Sequence, residues 1–292
     1  MDKGEGPYGK IIQKSLRARV PAIESTSAYY WDSSFFSLSN LSLFENLSKE
    51  RKENVLKSCS QSIIAEGIHI EDIGIDLTSF MIQKSNDNQE KHIYSLINAD
   101  EIEHYYLLER FLLDPLPPAS ENPFITLLKE CVQTSDSYQM VFFLQIILEG
   151  WGMTYYHDLE ENCLDKNLKK DIKRILFDES SHHGTGLVYY QKSKRESDAQ
   201  VKKMVEILAS FLEMIRVGPQ VHVSFLEREL GGFTLNQKEK VFEKIGAQED
   251  TTRRLLGIKK LLRHDLSNYL IAELEKRNLF APYSPKEFAR IS

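Results

Sequence analysis

Apolar and polar positions recur along this chain with the period of an amphipathic helix. From Ser48 onward, Leu56, Ile63, Ile70, Leu77 and Met81 or Lys84 follow heptad-like spacing, with Ile73 and Phe80 filling the intervals. The pattern predicts a long helix that ends near the turn-forming cluster Ser85-Asn-Asp-Asn. A second stripe (Ile93, Ile97, Leu108, Phe111) predicts a helix from about Gln89 to Leu113, stopped by Asp114-Pro-Leu-Pro-Pro. A third helix is expected over about Ser137 to Cys163, with Val141, Leu144, Leu148, Tyr155 and Leu159 inward. A fourth is expected over about Asp165 to Lys194, with Ile172, Ile175, Leu176 and Tyr189 or Tyr190 inward. A short helix at Phe124–Val132 interrupts the link between the second and third.

The flanks are different. Residues 1–50 are poorly periodic and carry the rings Tyr29, Tyr30, Trp31, Phe35 and Phe36, which either pack over the main core or line a substrate entrance. Residues 196–292 continue as helix over Val201–Glu229, Asn236–Ile245 and Glu249–Lys276, punctuated by Gly218-Pro219 and Gly231-Gly232. No ligand-like constellation occurs there. That region reads as an extension that braces the core or forms a contact in a homodimer.

Each of the four long stripes carries a carboxylate where an apolar residue is expected: Glu66, Glu101, Glu149 and Glu179. Two of them begin a repeated pattern, Asp100-Glu101-x-x-His104 and Asp178-Glu179-x-x-His182. Residues three apart share a helix face, so each Glu and His can offer an oxygen and a nitrogen to one metal. The chain's composition gives about 0.04 copies of Asp-Glu-x-x-His by chance, so two copies point to a shared task. Glu66 to Glu101 and Glu149 to Glu179 are spaced for antiparallel helix pairs whose ligands meet at similar height.

Buried carboxylates are costly unless protonated, paired or bound to a cation. Four Glu and two His balance two divalent metals, and oxygen-rich ligands with imidazole suit iron or manganese. A ligating His usually donates its other N–H to a carboxylate, so Asp100 is expected to support His182, and Asp178 to support His104. His69 makes a third Glu-x-x-His with Glu66 but has no preceding Asp, and His183 points about 100° from His182. Glu71, Glu103, Glu160 and Glu161 read as solvated helix charges. Tyr105, Tyr155 and Tyr189 are candidates for redox roles, although core packing accounts for each. Gly67, Gly150, Gly152, Gly184 and Gly186 flank the ligands, where they leave room for a substrate or permit close helix packing.

The remaining composition narrows the setting. A net charge of −6 gives no electrostatic reason to expect nucleic acid or an anionic membrane. No apolar run approaches a membrane span and the N-terminus lacks a signal-peptide core, so a cytoplasmic location is expected. Cys59, Cys131 and Cys163 are scattered, which argues against disulfides and a thiolate metal site.

Glu66, Glu101-x-x-His104, Glu149 and Glu179-x-x-His182 together resemble the ligand set of the ferritin-like di-iron carboxylate proteins. The resemblance covers residues 51–195. It implies an all-α fold, a ferritin-like four-helix bundle with additional N- and C-terminal helices, holding two iron ions with manganese able to replace one. It also implies a dioxygen-dependent oxidase or oxygenase acting on a small organic or acyl substrate, with a reductase or ferredoxin as electron donor. A ferroxidase or metal-binding protein without an organic substrate is the alternative. Departures from sister branches favour the oxygenase. His182 is typically missing from ferritins, and Gly152 stands where rubrerythrins carry an extra Glu. Ile175 replaces the added His of arylamine N-oxygenases, and Leu108 replaces the radical Tyr of ribonucleotide reductase small subunits. Aldehyde-deformylating oxygenases share the ligand pattern but not the long C-terminal part.

Overall fold

The computed structural model describes residues 8–16, 18–23, 27–193, 197–265 and 268–291, and it is all-helical, with no strand among them. Two short helices, α1 (Gly9–Leu16) and α2 (Ser42–Glu45), precede the first long one, α3 (Lys49–Lys84). Ser48 caps α3 by accepting from the Arg51 N–H, and Asp87 caps α4 (Asn88–Glu109) by accepting from Gln89. The intervening turn is only three residues long, so α4 folds back and packs along the length of α3.

Helix α4 stops at Glu109, four residues before the expected end. Side chains take over the backbone there: Tyr30 and Gln61 both donate to the Phe111 carbonyl, and Gln61 accepts from the Leu113 N–H. A 3-10 turn (Ala119–Glu121) leads into α5 (Pro123–Thr134), capped by Asn122 with Pro123 in its first turn. The third long helix is a composite of α6 (Ser137–Met140), a π-helical segment (Val141–Leu148) and α7 (Glu149–Asn162). Asp165 caps α8 (Lys166–Lys192), which returns against α7 and the π segment and also packs on α4.

The expected helix over 201–229 is two helices, α9 (Asp198–Arg216) and α10 (Gln220–Leu230). Gly218 breaks them with φ +67, and a Cβ there would lie 2.8 Å from the Phe288 ring, so glycine is required twice over. The remainder is α11 (Leu235–Lys244), α12 (Ala247–Asp265), α13 (Asn268–Lys276) and α14 (Pro285–Phe288). Helix α9 packs on α5 and the π segment, α12 on α7 and the π segment, and α10 on α3. Residues 198–291 therefore share the buried cores of the motif-bearing helices: Phe211 packs edge-on against Phe143 and Trp151.

The N-terminal rings pack inward. Tyr30 and Trp31 are fully buried, and Trp31 Nε1 donates to the Leu159 carbonyl at 2.9 Å. Trp31 and Phe35 also line a large cavity, so this segment serves core and cavity wall together. Further along, Arg19 and Arg174 both pair with the buried Glu103, and Arg174 donates to the Arg19 carbonyl. Glu103 is therefore not the solvated charge the sequence suggests; it ties the N-terminal segment to α4 and α8. None of the described helices is long and apolar enough to cross a membrane.

Candidate metal centre

Four helical elements bring carboxylates and imidazoles to one buried point. Glu71 comes from α3, Glu101 and His104 from α4, Glu149 from the start of α7, and Glu179 and His182 from α8. They form two groups, Glu71–Glu101–His104–Glu179 and Glu101–Glu149–His182, each with ligand atoms within 4.8 Å of one another. Glu101 belongs to both. Glu179 lies between them, with Oε1 3.4 Å from His104 Nδ1 and 3.5 Å from His182 Nδ1.

The donor set fits metal by its unmet hydrogen bonding. His104 Nδ1 is 3.3 Å from Glu71 Oε2, and His182 Nδ1 is 3.2 Å from Glu101 Oε1. Neither ring nitrogen makes a directed hydrogen bond, however, and Glu149 Oε2 is likewise buried without a partner. Buried polar atoms are seldom left this way. Ring nitrogens and carboxylate oxygens that converge without bonding leave a point that a cation satisfies. The cluster can hold a metal ion.

On the far edge of the rings, Asp178 Oδ2 is 3.2 Å from His104 Nε2, and Asp100 Oδ2 is 3.6 Å from His182 Nε2. Asp178 therefore bonds the imidazole of the opposite helix, whereas Asp100 stops just beyond hydrogen-bond reach and, among the described residues, leaves His182 Nε2 without a bond. Nδ1 of both rings faces the Glu cluster.

Electrostatics report the same crowding. Burial, reinforced by Glu179, pushes Glu101 and Glu149 well above the usual carboxylate range. Burial also opposes the charge of Glu179, yet His104 and His182 hold its carboxyl down at about 2. Burial disfavours an imidazolium at His182, but Glu101 and Glu179 raise it to about 11. Burial works against His104 too, and Asp178, Glu179 and Glu71 overcome it to hold this ring well above its ordinary value. In the metal-free cluster these surroundings favour the protonated forms of Glu101, Glu149, His104 and His182.

Glu66, the residue expected from α3, stands outside both groups. Its carboxyl accepts a hydrogen bond from Asn122 at 2.9 Å and lines the cavity. Glu71 occupies the cluster instead, buried, and held by the Tyr156 hydroxyl at 3.2 Å. The sequence carried a signal for this. Ser60, Ile64, Gly67, Glu71, Gly74, Thr78 and Met81 recur at helical three- and four-residue spacing, but small and polar side chains hide the stripe. Gly74 was also missed: a Cβ there would lie 2.5 Å from Glu101 Oε2.

The other candidates have local partners. His69 bonds the Pro117 carbonyl, His183 bonds the Gln145 carbonyl in the π segment, and Tyr189 donates to Ser137. Gly67, Gly150 and Gly186 serve close packing, against Leu108, His183 and Gln145 respectively, whereas Gly152 has open space and lines the cavity. The π segment has a recognisable use. Its Gln145 donates to the His182 carbonyl and accepts from the Tyr94 hydroxyl, linking α4 and α8 just ahead of Glu149.

The cavity, about 1390 Å³, reaches Glu71, Glu101, Glu149 and Glu179 at its inner end. Most of its wall is apolar, including Leu108, Leu144, Leu148 and Trp151. Comparison of the chain with protein-family models, curated proteins and solved structures yields no match.

Proposed function

We propose that this protein is a non-haem di-iron oxygenase or oxidase, built on a ferritin-like four-helix bundle, that oxidises a small organic or acyl substrate with dioxygen. The observation that carries the reading is an apolar-walled cavity running directly to a buried Glu/His cluster. A ferroxidase has no use for such a cavity, because its substrate is a hydrated cation. Helices α3, α4 and α8, with the α6–π–α7 rod, supply the four members of the bundle.

In this reading Glu71, Glu101, His104 and Glu179 would hold one ion, and Glu101, Glu149 and His182 would hold the other. Four carboxylates neutralise two divalent cations. When bound, the iron pair supplies the electrons and open coordination positions that dioxygen reduction requires. The protein does the rest. Asp178 orients the His104 imidazole from behind, Asp100 stands near the far edge of His182 without bonding it, and Tyr156 fixes one oxygen of Glu71. Burial holds the Tyr156 hydroxyl well above its ordinary pKa, so it stays a proton donor beside the cluster. The apolar wall excludes water and holds an organic substrate against the site. A reductase or ferredoxin would return the electrons.

Anaerobic titration with Fe(II), followed by dioxygen and candidate substrates, tests the reading. It expects about two iron ions per chain and dioxygen uptake that rises with an oxidisable organic compound. Uptake that yields only ferric ion, unaffected by any cavity ligand, would favour the ferroxidase. Fewer than about one iron per chain, with Glu101→Ala no different from wild type, would remove the metalloenzyme altogether.

A further inference from the structure

The outer part of the cavity has a chemistry that the metal centre does not use. Arg254 lines it, with its guanidinium 5.7 Å from the centre of the Tyr155 ring. Among the described residues, only Nε of this guanidinium is engaged in a hydrogen bond, donating to Asp250 Oδ2 at 2.8 Å. The other Asp250 oxygen accepts from Arg253, also a cavity residue. Two arginines thus share one carboxylate at this part of the wall. Lys238 of the same cavity is paired with Glu227 at 3.0 Å, and Glu213 with Arg216 at 2.7 Å, while Asp158, exposed to solvent, also lines the wall. The two terminal nitrogens of Arg254 form the planar fork that grips a carboxylate through paired bonds.

The same cavity is walled mostly by apolar side chains and also reaches the Glu/His cluster. Tyr155 and Tyr156 are adjacent on α7: one ring lies by Arg254 and the other hydroxyl touches Glu71. Glu66 lies on α3, about 7.5 Å of helix rise from Glu71. Burial raises its carboxyl above the usual range, with Asn122 and Arg254 opposing the shift.

We propose that the cavity binds an amphipathic organic acid, its carboxylate on Arg254 and its apolar body directed inward to the cluster. This rests on the oxygenase reading for its consequence, since it names the substrate class, but the binding itself needs no metal. The volume exceeds the roughly 300–1,000 Å³ of ordinary ligand pockets, so an extended chain or a ring system fits. A hydrated metal ion gains nothing from a guanidinium in the cavity wall.

Calorimetric titration of the full chain, freed of metal by chelation, with decanoate, 4-phenylbutyrate and the two matching primary amides tests this. At least one acid is expected to bind ten-fold or more tightly than its amide. Arg254→Gln should abolish that difference while leaving amide binding unchanged, and Arg253→Gln should reduce it less. The acid–amide comparison needs no variant, so a misfolded mutant cannot rescue or sink the idea. Equal binding of acid and amide, no binding of either acid, or a difference that survives in Arg254→Gln each overturns the inference. Iron loading in parallel separates the two claims. Two iron ions with dioxygen uptake but no acid preference removes this inference alone; acid preference without iron binding removes the oxygenase reading and keeps the anion-binding cavity.

Discussion

Asp178 Oδ2 lies 3.2 Å from Nε2 of His104, on the opposite edge of the imidazole from the nitrogen that faces Glu71 and Glu179. A carboxylate there fixes the tautomer and raises the basicity of Nδ1. Asp178→Asn should therefore weaken binding of a divalent ion by about 10- to 100-fold. Asp178 is a quarter exposed, so the fold should survive. Competition against a chromophoric chelator, with Zn(II) as a redox-inert probe, measures the affinity. An unchanged value would remove the supporting role.

Glu71 and Glu66 occupy the same helix but different environments, and their variants should separate cleanly. Glu71→Gln removes a carboxylate from the cluster and should reduce the capacity for tightly bound metal from two ions to one. Glu66→Gln keeps an acceptor for the Asn122 amide and should leave the metal count at two. Elemental analysis after gel filtration reads both. Loss of metal in Glu66→Gln with none in Glu71→Gln would reverse the assignment.

The contrast between these two residues also explains what was legible in the sequence. Helices α3 and α8 start and end close to where their stripes and their caps at Ser48 and Asp165 place them. Helix α4 starts as expected after its cap Asp87 but ends early at Glu109 and leaves Ile93 exposed. Glu101, His104, Glu179 and His182 converge because a doubled short-range motif fixes its own geometry on any helix. The ligand from α3 has no such partner in sequence. It had to be read from the helix phase, and α3 packs against α4, α5, α6 and α10, so apolar residues surround it on several faces. The inner face at Gly67, Glu71, Gly74 and Thr78 is the least apolar of them. The π segment was equally illegible: apart from Gln145, Val141–Leu148 is apolar, and no periodicity survives to reveal a wider turn.

The protonation of the cluster sets a pH dependence for the metal-free protein. Glu101 and Glu149 hold protons in the folded state above the range where the unfolded chain loses them, and His182, at about 11, does so above its ordinary value. The folded state then binds more protons, so stability falls as pH rises from about 5 to 9. Each extra proton contributes about 1.4 kcal/mol per pH unit. Glu179, at about 2, adds an opposite dependence confined to pH values below the usual carboxylate range. Thermal melts of the chelated protein should show the decline. Metal-loaded protein should show the reverse trend in affinity, because ligands must shed protons to bind. A pH-independent melting temperature over this range would contradict the proton-filled cluster.

Gly74 provides a test of the cluster that leaves every ligand in place. Its backbone lies so close to Glu101 that an added Cβ would meet Oε2 at 2.5 Å and the carboxyl carbon at 2.7 Å. Glu101 can swing away, but only by leaving the position it shares between the two groups. Replacing a mid-helix glycine by alanine otherwise stabilises by about 1 kcal/mol, so the helix itself should not suffer. Gly74→Ala should therefore lower divalent-metal affinity by roughly ten-fold or more, equivalent to at least about 1.4 kcal/mol, while the metal-free protein melts no lower than wild type. Gly184→Ala is the control, since a Cβ there meets nothing within 4 Å although the residue lies only two positions from His182. It should gain the helix stabilisation and keep its metal. Equal metal affinity in both variants would mean that Glu101 does not bind the metal in the position it occupies here.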